Sequence, residues 1–188
     1  GNMVINYMSA HDNHSLWDKL LISNGSNTDE QRIAMTKLGA GIIMISQGTP
    51  FMQAGEEMLR SKDGDENSYK SSDEVNNIRW EELTTDSNAY ATMLYYKGLM
   101  AMRKAYGILG RDGDVEITFE SFGSDGMVVK YKAANGPEAL VLINPTPQDL
   151  DRLFEKKLWG FNNLGYDNAI LYARYTGATN MECYRMSQ

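Results

Sequence analysis

An apolar run containing Val4, Ile5, Tyr7 and Met8 ends at the small residues Ser9 and Ala10, and four polar residues then follow without a break: His11, Asp12, Asn13 and His14. Leu16-Trp17-Asp18-Lys19-Leu20 restores an amphipathic pattern directly afterwards. An apolar, partly β-branched segment that delivers polar groups at its C-terminal end reads as a buried strand with a candidate site at its tip. In folds that alternate parallel strands with helices, loops at that end line one open face and carry the chemistry. The bland alternative is a strand followed by a solvated polar turn. Four consecutive groups suited to sugar hydroxyls favour the site.

The next segment supplies a second strand. Ser26-Asn27-Thr28-Asp29-Glu30 offers an N-cap and early acids, and Ile33, Met35, Leu38 and Ala40 predict a helix over about 28–39. Gly39 and Gly41 end it in this reading, and Ile42-Ile43-Met44-Ile45 becomes a strand buried on both faces. One continuous helix through both segments is the alternative, which the glycines disfavour. Strand, helix and strand with short connections make the crossover unit of parallel α/β folds.

Residues 46–82 are polar and turn-rich, longer than connections in compact domains usually run, with Phe51, Met52 and Trp80 as candidate anchors. Asn88 to Lys104 reads as a long helix closed by Gly107 and Gly110. Val115–Phe122, Met127–Ala133 and Ala139–Asn144 are then strand-like runs separated by Gly123-Ser124-Asp125-Gly126 and Asn135-Gly136-Pro137, both hairpin signals. The change of character places a boundary near residue 110: residues 1-110 are α/β, and residues 111-188 form a small β domain with an atypical tail. Within that tail, the apolar spacing from Asp149 to Leu158 favours a helix.

Several of these stretches, taken together and in order, resemble the type I pullulanases of the α-amylase family. Tyr7-Met8-Ser9-Ala10-His11-Asp12-Asn13 followed by Leu16-Trp17-Asp18 is similar to the end of barrel strand seven in those enzymes. Gly48-Thr49-Pro50-Phe51-Met52-Gln53-Ala54-Gly55-Glu56-Glu57-Met58 looks like the end of strand eight. Arg60-Ser61-Lys62, Asn67-Ser68-Tyr69, Asp73-Glu74-Val75-Asn76 and Trp80 continue the likeness, which covers about the first 145 residues. The fold implied is the C-terminal part of a (β/α)8 barrel followed by a small antiparallel β domain. A helix over residues 2–8 or 42–46 would leave the family assignment without footing.

The resemblance also implies chemistry. A retaining glycosidase uses two carboxyl groups about 5.5 Å apart, a nucleophile and a general acid. In the α-amylase family these follow strands four and five, so for this chain they are expected upstream. A third carboxylate, matching Asp12, stabilises the oxocarbenium-like transition state through the sugar's 2- and 3-hydroxyls. His11 is expected to bind the same hydroxyls, Asn13 to make a neighbouring contact, and Glu56 and Glu57 to be structural or peripheral. The expected substrate is an α-glucan branched through α-1,6 links, with no cofactor and no metal. The chain alone is expected to be inactive.

Other classes of function fit the residues less well. A net charge of −7 argues against nucleic acid, whose phosphates would be repelled. No apolar run approaches the roughly 18 residues that a membrane span needs. A single cysteine excludes an internal disulfide framework. A metal site at His11-Asp12-Asn13-His14 would draw on the chain's only 2 histidines, from adjacent positions that point in opposing directions. Asp63, Asp65, Asn67, Tyr69, Ser71 and Glu74 fall at the offsets of a calcium loop, but Ser68 stands where that loop needs glycine. A non-catalytic, carbohydrate-contacting module is the remaining alternative, with Trp17, Trp80 and Trp159 as stacking candidates. Barrel strands cut from their neighbours also expose edges and apolar faces. Self-association of the chain, or cover of that face by the tail from residue 149, is therefore expected.

Overall fold

The computed structural model describes residues 4–109, 114–122, 125–145 and, for the backbone alone, 170–175. The tail segment around Asp149–Leu158, and Trp159 with it, lies outside the described residues.

The first strand, β1, is only Ile5–Asn6, and helix α1 (Leu16–Ser23) follows the polar loop. The Ser15 hydroxyl caps α1 by accepting from the Asp18 N–H at 3.2 Å. Helix α2 runs without interruption over Asp29–Ile45. Its start is as the sequence indicates: Thr28 and Gln31 form a reciprocal capping box, with bonds of 2.9 and 3.3 Å. Its end is not. The segment expected to be a strand, Ile42 to Ile45, forms the last turn of this helix, and Ser46 closes it by donating from Oγ to the Ile42 carbonyl at 2.6 Å. Gly39 serves packing rather than termination, since a Cβ there would lie 2.3 Å from Met8 Sδ. The glycine lets the segment after β1 approach the helix, and an interior glycine costs only about 1 kcal/mol.

The second strand, β2 (Thr49–Pro50), pairs in parallel with β1, Ile5 opposite Thr49 and Asn6 opposite Pro50. Gly48 makes this possible at φ +114°, where a Cβ would meet the Val4 carbonyl at 2.7 Å. The strand was therefore expected a few residues too early.

The long loop holds three short turns, Glu56–Met58, Ser68–Lys70 and Trp80–Glu82, and helix α3 (Asp73–Asn76). Polar contacts pin much of it: Arg60 donates to the Ala54 and Asn76 carbonyls, and the Asn76 amide donates to the Ser68 carbonyl. Met52 packs at the edge of the core, while Trp80, expected to anchor the loop, is exposed.

Helix α4 (Asn88–Ala105) matches its expected span. Strands β3 (Val115–Phe122), β4 (Gly126–Ala133) and β5 (Glu138–Asn144) form the antiparallel sheet anticipated, and β6 (Ile170–Tyr175) extends it in the order β3-β4-β5-β6. Ala40, Met44 and Ile45 of α2, Tyr96, Leu99 and Met102 of α4, and Val129, Tyr131 and Val141 of the sheet share one apolar cluster. Tyr131 ties sheet to helix by donating from its hydroxyl to the Ile45 carbonyl at 2.9 Å. Burial pushes that phenol up to about 12. Among the described residues, no helix is long and apolar enough to cross a membrane.

Candidate functional site

The loop after β1 carries the predicted residues, and the structure places them at the surface. His11 and Asp12 side chains are 89% and 82% exposed, with Nε2 and Oδ1 3.7 Å apart. Asn13 adopts a left-handed backbone, φ 65°, a conformation that asparagine tolerates better than most residues. The next residue, His14, turns inward, its Nε2 3.6 Å from Glu66 Oε2. The two histidines thus face different surroundings. Among the described residues, no group of three or more His, Cys, Asp and Glu side chains is gathered as a metal site would need. Two carboxylates of the calcium-like spacing have partners within the protein: Asp63 accepts from Arg79, and Asp65 accepts from the Asn67 N–H and the Ser71 hydroxyl.

Beneath the loop lies polar support that sequence reasoning missed. Ser9 donates from Oγ to Glu56 Oε2 at 2.6 Å, and Tyr96 donates from its hydroxyl to Oε1 at 3.1 Å. Glu56 is buried; desolvation pushes its carboxyl above the usual range, and the two hydroxyl donors offset part of that. Burial and the neighbouring Glu56 also push the Tyr96 phenol well up. Asp18, buried in the first turn of α1, accepts from Ser61 Oγ at 2.5 Å and from the Lys62 N–H at 2.7 Å. Lys62 Nζ then reaches the His11 and Asn13 carbonyls at 3.2 and 2.7 Å. The signal in the sequence was position, since Asp18 and Ser61-Lys62 both sit in the motif-like stretches. Nothing in the spacing shows that they meet.

Tyr7 and Phe51 stand beside the strand pair and touch edge to face, with ring centroids 5.9 Å apart. Trp17 is half-buried with the Arg32 guanidinium 5.4 Å from its ring centroid. The arrangement is thus an exposed His-Asp pair on a braced loop, with exposed Tyr7 and Phe51 beside the strand pair that precedes it. Such a surface suits a hydroxyl-rich ligand that offers both polar groups and apolar ring faces.

Comparison with known proteins gives this arrangement relatives. No family model matches the chain. A pullulanase of Bacillus subtilis (strain 168) is 38% identical over 102 residues, 54% of this chain and 14% of that protein. The structure of a pullulanase from Bacillus acidopullulyticus superposes with a TM-score of 0.74 at 27% identity, over 90% of this chain and 24% of that one. A type I pullulanase of Bacillus subtilis str. 168, solved in complex with maltose, gives 0.67 at 27% identity, over 77% and 21%. The class that these matches define is that of the debranching glycoside hydrolases. The chain resembles the type I pullulanases among them, and it spans well under two thirds of the length of each of these relatives. Residues 42–45 are helical, the outcome expected to leave the family without footing; the identities and superpositions support the likeness all the same, so that condition was too strict.

Proposed function

We propose that residues 1-110 are the C-terminal portion of a (β/α)8 catalytic barrel, with β1 and β2 as its seventh and eighth strands, and that residues 111-188 form its small C-terminal β domain. The parallel β1–β2 pair, joined through two helices, supports this reading, because parallel neighbours need a helical crossover. The enzyme so assembled is a retaining glycosidase that cleaves α-1,6 branch linkages in pullulan, starch or glycogen. The observation that carries the functional part is the exposed His11-Asp12-Asn13 loop directly after β1.

In this mechanism Asp12 is the third carboxylate. It accepts hydrogen bonds from the 2- and 3-hydroxyls of the distorted sugar and stabilises the positive charge that develops at the ring. His11 binds the same hydroxyls, and Asn13 makes a neighbouring contact. The nucleophile and the general acid come from outside these 188 residues, so the chain alone contacts carbohydrate without cleaving it. In the complete enzyme, Asp12→Asn should leave folding nearly intact and cut turnover by orders of magnitude, because the lost charge acts mainly in the transition state. Turnover within a few-fold of the parent would remove Asp12 from the mechanism. The alternative of a non-catalytic module has its own test: reducing ends released from pullulan by the 188-residue chain would show that a nucleophile lies within it.

A further inference from the structure

The loop bearing Asp12 is gripped by a buried cation. Lys62 is 2% exposed, and its ammonium donates to the carbonyls of His11 and Asn13, the two residues that flank Asp12. A buried ammonium is costly unless its protons find acceptors, and charge-assisted hydrogen bonds are roughly twice as strong as neutral ones. The lysine is itself held in place. Its backbone N–H and the Ser61 hydroxyl both donate to Asp18, and Asp18 belongs to α1, which begins where the loop ends. The circuit is closed: loop, α1, Asp18, residues 61–62, and Lys62 back to the loop. The left-handed Asn13 lies within it, and a backbone state of that kind persists where its surroundings over-determine it.

We propose that Lys62 is a positioning residue for Asp12, fixing the main chain on both sides of the carboxylate so that it meets the sugar hydroxyls in one orientation. This rests on the reading of Asp12 as a substrate-binding carboxylate. Small misplacements of such a group cost far more in rate than in stability, because the geometry of the reacting complex is what the fixed loop supplies.

The test uses the complete enzyme. Lys62→Met keeps an unbranched side chain, apolar and one atom shorter than that of lysine, and removes its donors. At a temperature where circular dichroism shows both proteins folded, kcat on pullulan should fall at least thirtyfold while KM moves less than threefold, the mark of an interaction that matters in the transition state. Lys62→Arg, which returns a cation with donors, should run at least tenfold faster than Lys62→Met. A lysine that merely stabilises the fold would lower the melting temperature and leave turnover per folded molecule within twofold of the parent; that result overturns the proposal. Should Lys62→Met not fold, Lys62→Gln, whose shorter side chain ends in an uncharged amide, decides on the same two constants. Asp12→Asn is the control. If it keeps its turnover, the reading of the site fails. If it loses turnover and Lys62→Met does not, the lysine alone fails.

Discussion

Between α4 and the antiparallel sheet, Leu109 and Val141 are 0% exposed, whereas Ile5 in the parallel pair is 61% exposed. Both regions carry large apolar side chains, so the presence of such residues does not separate them. Layers do. The sheet has α2 and α4 against it, and its strands find partners through four members. The parallel pair has two strands of two residues each among the described residues, and Val4, Ile5, Tyr7 and Phe51 stay open. The closed region is held by apolar packing. The open one is held by buried polar groups, Glu56, Asp18 and Lys62, that brace a loop from beneath. Packing fixes a fold with little regard to direction, whereas hydrogen bonds fix where one peptide points.

The comparison breaks first if the closed region tolerates a cavity. Leu99→Ala should cost about 2–5 kcal/mol, since the side chain is fully buried in the shared cluster. Chemical denaturation of the 188-residue chain measures it, and a loss under 1 kcal/mol would mean that helix and sheet are not packed as one core.

A smaller and pH-dependent effect is expected from the polar support. Glu56 has a carboxyl raised by desolvation, so the folded state holds its proton more tightly than the unfolded chain. Its contribution is fully present below the unfolded carboxylate value and is lost as pH rises through the folded one. Glu56→Gln mimics the protonated form and lacks this dependence. Its stability relative to the parent should be most favourable near pH 7 and should decline as the pH falls towards 4, read as a difference in melting temperature. A difference that grows on acidification would show that the Ser9 and Tyr96 donors outweigh burial, and that the site end stabilises an ionised carboxylate.

How far the sequence revealed these two regions follows the same division. Hairpin turns and alternating strands are local signals, so β3, β4 and β5 were legible within a residue or so, as was α4. The polar loop after β1 was legible because four polar residues interrupt an apolar run. Ile42-Ile43-Met44-Ile45 was misread because a short apolar run is equally a buried strand and a buried helix turn, and because Gly39 answers to Met8, more than 30 residues away in sequence. The braces were illegible for that reason too. Ser9 with Glu56 and Asp18 with Lys62 are separated by 47 and 44 positions, and no periodicity reports a contact across such a distance.

The smallest expected effect on stability sharpens the comparison most. Ile5→Thr keeps a β-branched side chain and so preserves strand preference. Because Ile5 is exposed, little apolar area is lost from a packed interior, and the unfolding free energy should change by no more than about 0.5 kcal/mol. The same residue sits in a row of open apolar groups, Val4, Tyr7 and Phe51 among them, beside a strand with one described partner. We propose that this face drives self-association of the isolated chain, because unpaired strand edges with apolar faces are templates for another copy. Light scattering of the parent should then show a mass that rises with concentration, and Ile5→Thr should shift that rise to higher concentration while leaving the melting curve in place. A stability loss of 2 kcal/mol or more would show that Ile5 is covered in solution, by the tail or by a second chain, and that the open region is in fact packed.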